Sequence, residues 1–231
     1  MITIRKSYER GATITPWLKS YHSFSFGNYY DSHFINFGPL RVINEDWVQP
    51  GMGFGKHHHD NMEIITFVVE GALKHRDSTG HSAIINAGEI QKMSAGSGIE
   101  HSEFNPSKTD LLHLLQIWII PEEVGLTPGY DQKTFRQAIN QWILLGSANE
   151  QENAVKIHQD VELYTAKLTT NSQIEYHFLA ERFGWLQLIR GNIKINGRNM
   201  VPGDGCAIIQ EANITIDSFE DAQLLLFDLG N

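Results

Sequence analysis

Short apolar runs recur along the chain, each closed by a glycine or proline. Ile64-Ile65-Thr66-Phe67-Val68-Val69 ends at Glu70-Gly71, and Leu115-Gln116-Ile117-Trp118-Ile119 runs up to Pro121. Trp185-Leu186-Gln187-Leu188-Ile189 ends at Arg190-Gly191, and Leu224-Leu225-Leu226-Phe227 lies near the C-terminus. Between the glycines the chain is rich in Val, Ile, Phe and Thr, side chains that pack well on a pleated surface. Many short strands with turn signals between them predict an all-β sandwich or barrel. Helical periodicity is confined to 133–145, where Phe135, Ile139 and Trp142 fall at spacings of four and three and predict one short helix.

The pattern repeats. Val68-Val69-Glu70-Gly71-Ala72-Leu73-Lys74 resembles Leu188-Ile189-Arg190-Gly191-Asn192-Ile193-Lys194. Each copy is followed by a glycine turn (Gly80; Gly197) and then a second turn (Asn86-Ala87-Gly88-Glu89; Val201-Pro202-Gly203-Asp204). Two copies of one β-unit predict two barrels. The expected division is an N-terminal barrel over 1–132, a connecting helix and polar linker over 133–153, and a C-terminal barrel over 154–231.

Composition adds exclusions. The 231 residues are 41% hydrophobic and 19% charged, ordinary for a soluble globular protein. A net charge of −9 disfavours direct contact with nucleic-acid phosphates. The apolar stretch 111–120 is about half a membrane span and contains His113 and Gln116. The first residues are too weakly apolar for a signal peptide. The single cysteine, Cys206, forms no intrachain disulfide and fits a reducing compartment. A cytoplasmic monomer with no membrane partner is expected. Cys206 lies in a Gly-flanked turn, where a redox role is the weaker reading.

The chemistry concentrates between His57 and His113, which hold 7 of the 11 histidines. Gly51-x5-His57-x-His59-x3-Glu63 places two imidazoles at i and i+2, on one face of a strand, with His58 facing the other way. Gly98-x2-His101-x-Glu103-x-Asn105 repeats the alternation. If the two strands are neighbours, three nitrogens and one carboxylate converge on a common ion. A lone His-x-His also arises on exposed strands; the second motif changes the balance, because separate buried histidines would each need their own partners. Glu63 shares the parity of His57 and His59 and is open as a ligand, an outer acceptor or a solvated residue. A mixed nitrogen and oxygen set suits Fe, Ni, Mn, Co, Cu or Zn without choosing among them, and leaves coordination positions open.

The two stretches resemble the two cupin motifs, the second with its usual turn proline replaced within Ala95-Gly96-Ser97-Gly98. With Phe24-Ser25-Phe26, Met62-Glu63-Ile64-Ile65-Thr66, Ala87-Gly88-Glu89-Ile90-Gln91, Met93-Ser94-Ala95-Gly96 and Leu114-Leu115-Gln116-Ile117-Trp118, they are similar to the pirin family, and closest to its shorter bacterial members with quercetinase activity. The resemblance implies an all-β bicupin: two stacked antiparallel jelly-roll barrels with a few short helices, only the first binding metal. It implies one divalent transition metal ion, iron first among the candidates, on His57, His59, His101 and Glu103. It also implies a quercetin 2,3-dioxygenase type of reaction, in which O₂ opens the central ring of a flavonol and carbon monoxide is released, with Glu103 as base. A planar aromatic substrate needs an apolar slot. Phe24, Phe26 and Phe54 are candidate walls, plain core being the competing reading. Tyr21, His22, Tyr29, Tyr30 and His33 could rim its mouth or cover a barrel edge. The second copy lacks the ligands: counted back from Gly191, His177 and Leu179 stand where His57 and His59 stand before Gly71, and Ile216 falls near the place of His101. The competing function is a regulatory module that binds metal and acts through a protein partner.

Overall fold

The structure, a computed structural model, describes residues 1–136, 138–149, 151 and 153–230. The first strands are β1 (Ile2–Arg5), β2 (Gly11–Ile14), β3 (Leu18–His22), β4 (Leu40–Val48), β5 (Gly53–His59) and β6 (Glu63–Glu70). They are followed by β7 (Ala72–Asp77), β8 (Ser82–Asn86), β9 (Glu89–Ser94), β10 (Ile99–Phe104), β11 (Leu112–Ile119) and β12 (Gly129–Thr134). One compact unit comprises Gly11–Phe135 with Asn149–Gln159; the other comprises Met1–Arg10, Arg136–Ala148 and Asp160–Asn231.

The first unit is two antiparallel sheets, ordered β12-β9-β6-β11-β4-β3-β2 and β5-β10-β7-β8. The apolar run of β6 is buried along nearly its whole length because the strand lies inside the larger sheet. Burial in β10 alternates residue by residue, as expected for a strand with one inward face. Leu18, Val48, Val68, Leu73, Ile85, Leu112 and Leu114 form one core, and Ile64, Met93, Ala95 and Ile99 another. Between these apolar layers the register aligns a polar row across the larger sheet: Gln91, Thr66, Gln116, Asn44 and His22 stand side by side on consecutive strands.

The second unit repeats the plan. One sheet orders β1, Gly205–Ile208, Phe183–Arg190, Ala222–Leu229, Val161–Leu168 and Ile143–Ser147; the other orders Gln173–His177, Asn213–Ser218, Ile193–Ile195 and Arg198–Met200. Its interior is apolar, built from residues such as Leu186, Leu188, Ile195, Ile214, Ile216, Leu224 and Leu226. The register sets Ile174 opposite Ile216, a buried apolar pair where the first unit has two histidines.

The helix expected over 133–145 is absent from the described residues; Gln137 lies outside them. Lys133 and Thr134 complete β12, and Ile143 opens the next strand. The three anchors diverge. Phe135 stacks on Phe67 at 5.8 Å, Trp142 packs edge-on against Tyr164 and Tyr176, and Ile139 is exposed. Asn140 adopts a left-handed φ of 56°, which interrupts a helix. The sole helical element among the described residues is a 3₁₀ turn, Ser7–Glu9, so the few short helices expected reduce to one. No described helix is long and apolar enough to cross a membrane. The N-terminal residues, read from sequence as part of the first barrel, pair in the second unit, Ile2 with Ile208 and Ile4 with Cys206. Arg136–Ala148 also belongs to the second unit rather than to a linker, and Glu150 and Glu152 lie outside the described residues.

Gly53 and Gly55 offer a test of how tightly β5 meets β10. A Cβ on Gly53 would stand 2.1 Å from the Glu103 carbonyl oxygen, whereas one on Gly55 meets nothing within 4 Å. Gly53→Ala should destabilise the fold by about 1–3 kcal/mol, while Gly55→Ala should stay within about 0.5 kcal/mol of the parent, as read by denaturant melts.

Candidate metal centre and its cavity

β5 and β10 are hydrogen-bonded neighbours, with His57 opposite His101 and His59 opposite Ile99. Ligand atoms of His57, His59 and His101 all lie within 4.8 Å of one another. His101 is buried, His57 and His59 are half-buried, and His58 points outward beside Asp60. The Nδ1 of His57 lies 2.8 Å from the Gly55 carbonyl and donates to it, which leaves its Nε2 to face the Nε2 of His101 at 3.0 Å. Two nitrogens bound at ~2.1 Å to one ion at a right angle would stand about 3.0 Å apart, so the pair fits a shared transition metal. The donor chemistry fits as well: neutral imidazoles next to a carboxylate, with no thiolate.

Glu103 enters a second group, with His75 and His101, whose ligand atoms are also within 4.8 Å of one another. Both of its oxygens are held from the opposite sheet: the Gln116 amide donates to Oε2 at 2.9 Å and the Thr66 hydroxyl to Oε1 at 3.4 Å. Thr66 in turn donates to the Gln116 carbonyl oxygen at 2.8 Å. His75 was not singled out from sequence. It is fully buried, its Nε2 is 3.2 Å from Asp77, and its ring centroid is 5.4 Å from that of His101. The signal available was the His75-x-Asp77 alternation, the same spacing that marks the two motifs.

A bulge shapes β5. Between the pairs His101–His57 and Glu103–Phe54, β5 spends one residue more than β10. Strict alternation would set Phe54 on the face opposite to His57. The extra residue turns both inward, and both line a cavity of about 310 Å³. Phe26, Phe54, Leu114 and Trp118 supply its apolar wall, Ser20, His22, Asn44, Asp46 and Gln116 its polar side, and His57 and Glu103 reach it from the candidate centre. Trp118 lies edge-on to His59 at 4.9 Å and to Phe26 at 5.4 Å. Phe26 and Phe54 are thus wall residues, whereas Phe24 is buried and does not line the cavity. Of the N-terminal aromatic group, His22 lines the cavity, Tyr29 stacks near it at 6.5 Å, and His33 and Tyr30 are exposed.

Glu63 is occupied elsewhere. Its Oε2 accepts from the backbone N–H of His158 at 3.2 Å, and lies 3.1 Å from the His158 Nδ1 and 3.5 Å from the Lys92 ammonium. Parity does not carry from His59 to Glu63 because the chain turns between them, with Asn61 at φ 47°. In the second unit His177 and Leu179 are exposed, and Ile216 is buried among aliphatic side chains. Cys206 is enclosed, and burial pushes its thiol up to about 12, which makes it unreactive.

Burial, followed by the charges that His101 and His57 would carry, lowers His59 to about 4. Burial, then His57 and His75, lowers His101 to about 3, against the pull of Asp77. Both imidazoles are neutral near pH 7 and can offer lone pairs. Across the cavity, burial raises Asp46 to about 7 against a hydrogen bond from Ser20, with the charges of Glu103 and Glu45 adding to the rise.

Sheets with a histidine trio between them, repeated in a second unit with an apolar interior, define a bicupin with one site of metal-binding type. A family profile described as Pirin matches residues 3–119, and one described as Quercetinase C-terminal cupin domain matches 144–229. The chain belongs to the pirin family. It is 48% identical over 229 residues to the quercetin 2,3-dioxygenase of Escherichia coli (strain K12), covering 99% of both chains. It is 38% identical over 228 residues to a pirin-like protein of Caulobacter vibrioides, covering 97% of this chain and 98% of that one. The solved structure of the bacterial pirin YhhW from Escherichia coli in complex with nickel(II) superposes with a TM-score of 0.95 at 48% identity, covering 100% of this chain and 99% of that one.

Because the folded values of His59 and His101 lie below the 6.5 of an unperturbed histidine, the unfolded chain takes up protons first as pH falls. Stability of the chelator-treated protein should be complete above about pH 6.5 and decline steadily as pH falls toward 4 and then 3. Thermal melts across that range should show the decline, and His59→Gln should flatten part of it.

Proposed function

We propose that this chain is a metal-dependent dioxygenase of the quercetin 2,3-dioxygenase type, acting on a flavonol-like planar aromatic with O₂ and releasing carbon monoxide. One divalent transition ion would be held by His57, His59, His101 and Glu103; iron is the first choice from the family resemblance, and the nickel bound by the Escherichia coli relative makes nickel the second. The observation that carries the reading is the cavity: a slot with flat walls at Phe26, Phe54 and Trp118 that reaches the candidate ligands His57 and Glu103 directly. When bound, the ion supplies a Lewis-acid centre that lowers the pKa of an enolic hydroxyl and brings it next to dioxygen.

The chain's own residues do the rest. The aromatic walls orient the rings and exclude water from the reacting face. Glu103 takes the proton of the 3-hydroxyl at a carboxylate oxygen. Thr66 and Gln116 hold that carboxylate in place. The names of the full-length relatives support the same activity class, and the single free cysteine fits a reducing compartment.

Protein loaded in turn with Fe, Ni, Mn, Co, Cu or Zn should bleach the flavonol absorbance band under air and not under nitrogen with at least one metal; no loss with any of them would remove the dioxygenase reading. His59→Ala should lower bound metal, by elemental analysis, together with turnover. Glu103→Gln should retain part of the metal and lose turnover by about 10²–10⁴-fold, the range for a general base, in a single-turnover assay at matched metal content.

A further inference from the structure

The polar side of the cavity carries a carboxylate that the reaction above does not use. Asp46 is 3% exposed, lines the cavity, and its Oδ1 has no hydrogen-bond partner. Ser20, its cross-strand partner on β3, hydrogen-bonds the carboxyl group. The neighbouring polar side chains are already engaged: His22 pairs with Asn44 at 2.7 Å and with Thr13 at 2.9 Å, and Gln116 with Glu103. A buried carboxylate oxygen left unpaired is costly, and in a cavity wall it marks a place where a ligand completes the bonding.

Register fixes where that place is. Asp46 stands opposite Leu114, and Gln116 opposite Asn44, so Asp46 is the diagonal neighbour of the residue that grips Glu103. Diagonal positions on adjacent strands are ~7–8 Å apart, about the length of a fused pair of six-membered rings. A planar ligand with one oxygen near His57 and Glu103 therefore brings the far edge of its ring system to Asp46, along the wall formed by Phe54 and Leu114.

We propose that Asp46, with Ser20 beside it, is a specificity-determining subsite that hydrogen-bonds a phenolic hydroxyl on the part of the substrate remote from the metal centre. The subsite selects polyhydroxylated aromatics over flavonols that bear only the metal-facing hydroxyl, and it rests on the flavonol reading. The carboxyl group pairs with a hydroxyl as acceptor when charged and as donor or acceptor when neutral, whereas an unsubstituted ring edge leaves it unpaired.

The test compares two probes, quercetin and 3-hydroxyflavone, bound anaerobically to the metal-loaded protein and followed by their absorbance shifts. The parent should prefer quercetin by about tenfold or more. Asp46→Leu should weaken quercetin at least tenfold and 3-hydroxyflavone far less, collapsing the preference; a merely structural role would weaken both alike. Asp46→Asn and Ser20→Ala preserve the shape of the wall and should each reduce the preference if the leucine variant does not fold. Binding of both probes with no preference in the parent, or a preference untouched in the variants, overturns the subsite and leaves the flavonol reading standing. Failure of both probes to bind overturns that reading, and the subsite falls with it.

Discussion

Everything about the first unit is organised by one cross-strand pair, His57 facing His101 with their Nε2 atoms 3.0 Å apart. Two imidazoles that close disfavour a charge on the deeper one: burial lowers the proton affinity of His101, and a charge on His57 lowers it further. Neutrality leaves at least one lone pair facing the gap. A cation can take a lone pair from each nitrogen at once, whereas a hydrogen bond between them uses the lone pair of one only. The backbone carbonyl of Gly55 commits the other side of the His57 ring, so the ring nitrogen that faces inward is settled by the strand itself.

The two units show what the same frame does with different fillings. Ile174 opposite Ile216 gives a dry aliphatic interior, and His57 opposite His101 gives a binding centre. The functional filling needs support that the aliphatic one does not. Glu103 is held by Thr66 and Gln116, and these belong to a polar row running on through Asn44 to His22. Thr66 bonds Gln116 and His22 bonds Asn44, and such pairing is how a polar layer persists between two apolar ones. The core cluster of the second unit is built mainly of Leu and Ile among its described residues.

Much of this was legible in the sequence, because strand alternation is a rigid rule and the motifs obey it. His57, His59, His101 and the outward His58 follow directly, as do the β-rich fold and its duplication. Where reading failed, a local event broke the period. The helix expected over 133–145 rested on three apolar residues whose spacing was coincidental, and Asn140 interrupts it. Glu63 was counted across a turn. His177 was counted back from Gly191 over a turn longer than that in the first unit, so the strand register pairs Ile174, not His177, with Ile216. Phe54 reaches the cavity only through the bulge. Asp46 and the polar row lay hidden as single polar residues within apolar strands, and their meaning depends on which strands are neighbours.

One feature of the smaller sheet bears on how the centre exchanges its contents. β5, which carries two of the three clustered imidazoles, is an edge strand with β10 as its sole neighbour in the sheet. Strand edges open by local fraying at a small fraction of the cost of global unfolding. Two imidazoles lie on that margin, while His101 and Glu103 are also paired to β7 on the side away from it. Fraying of one border of the sandwich would therefore part the imidazole cluster before the aliphatic layers open.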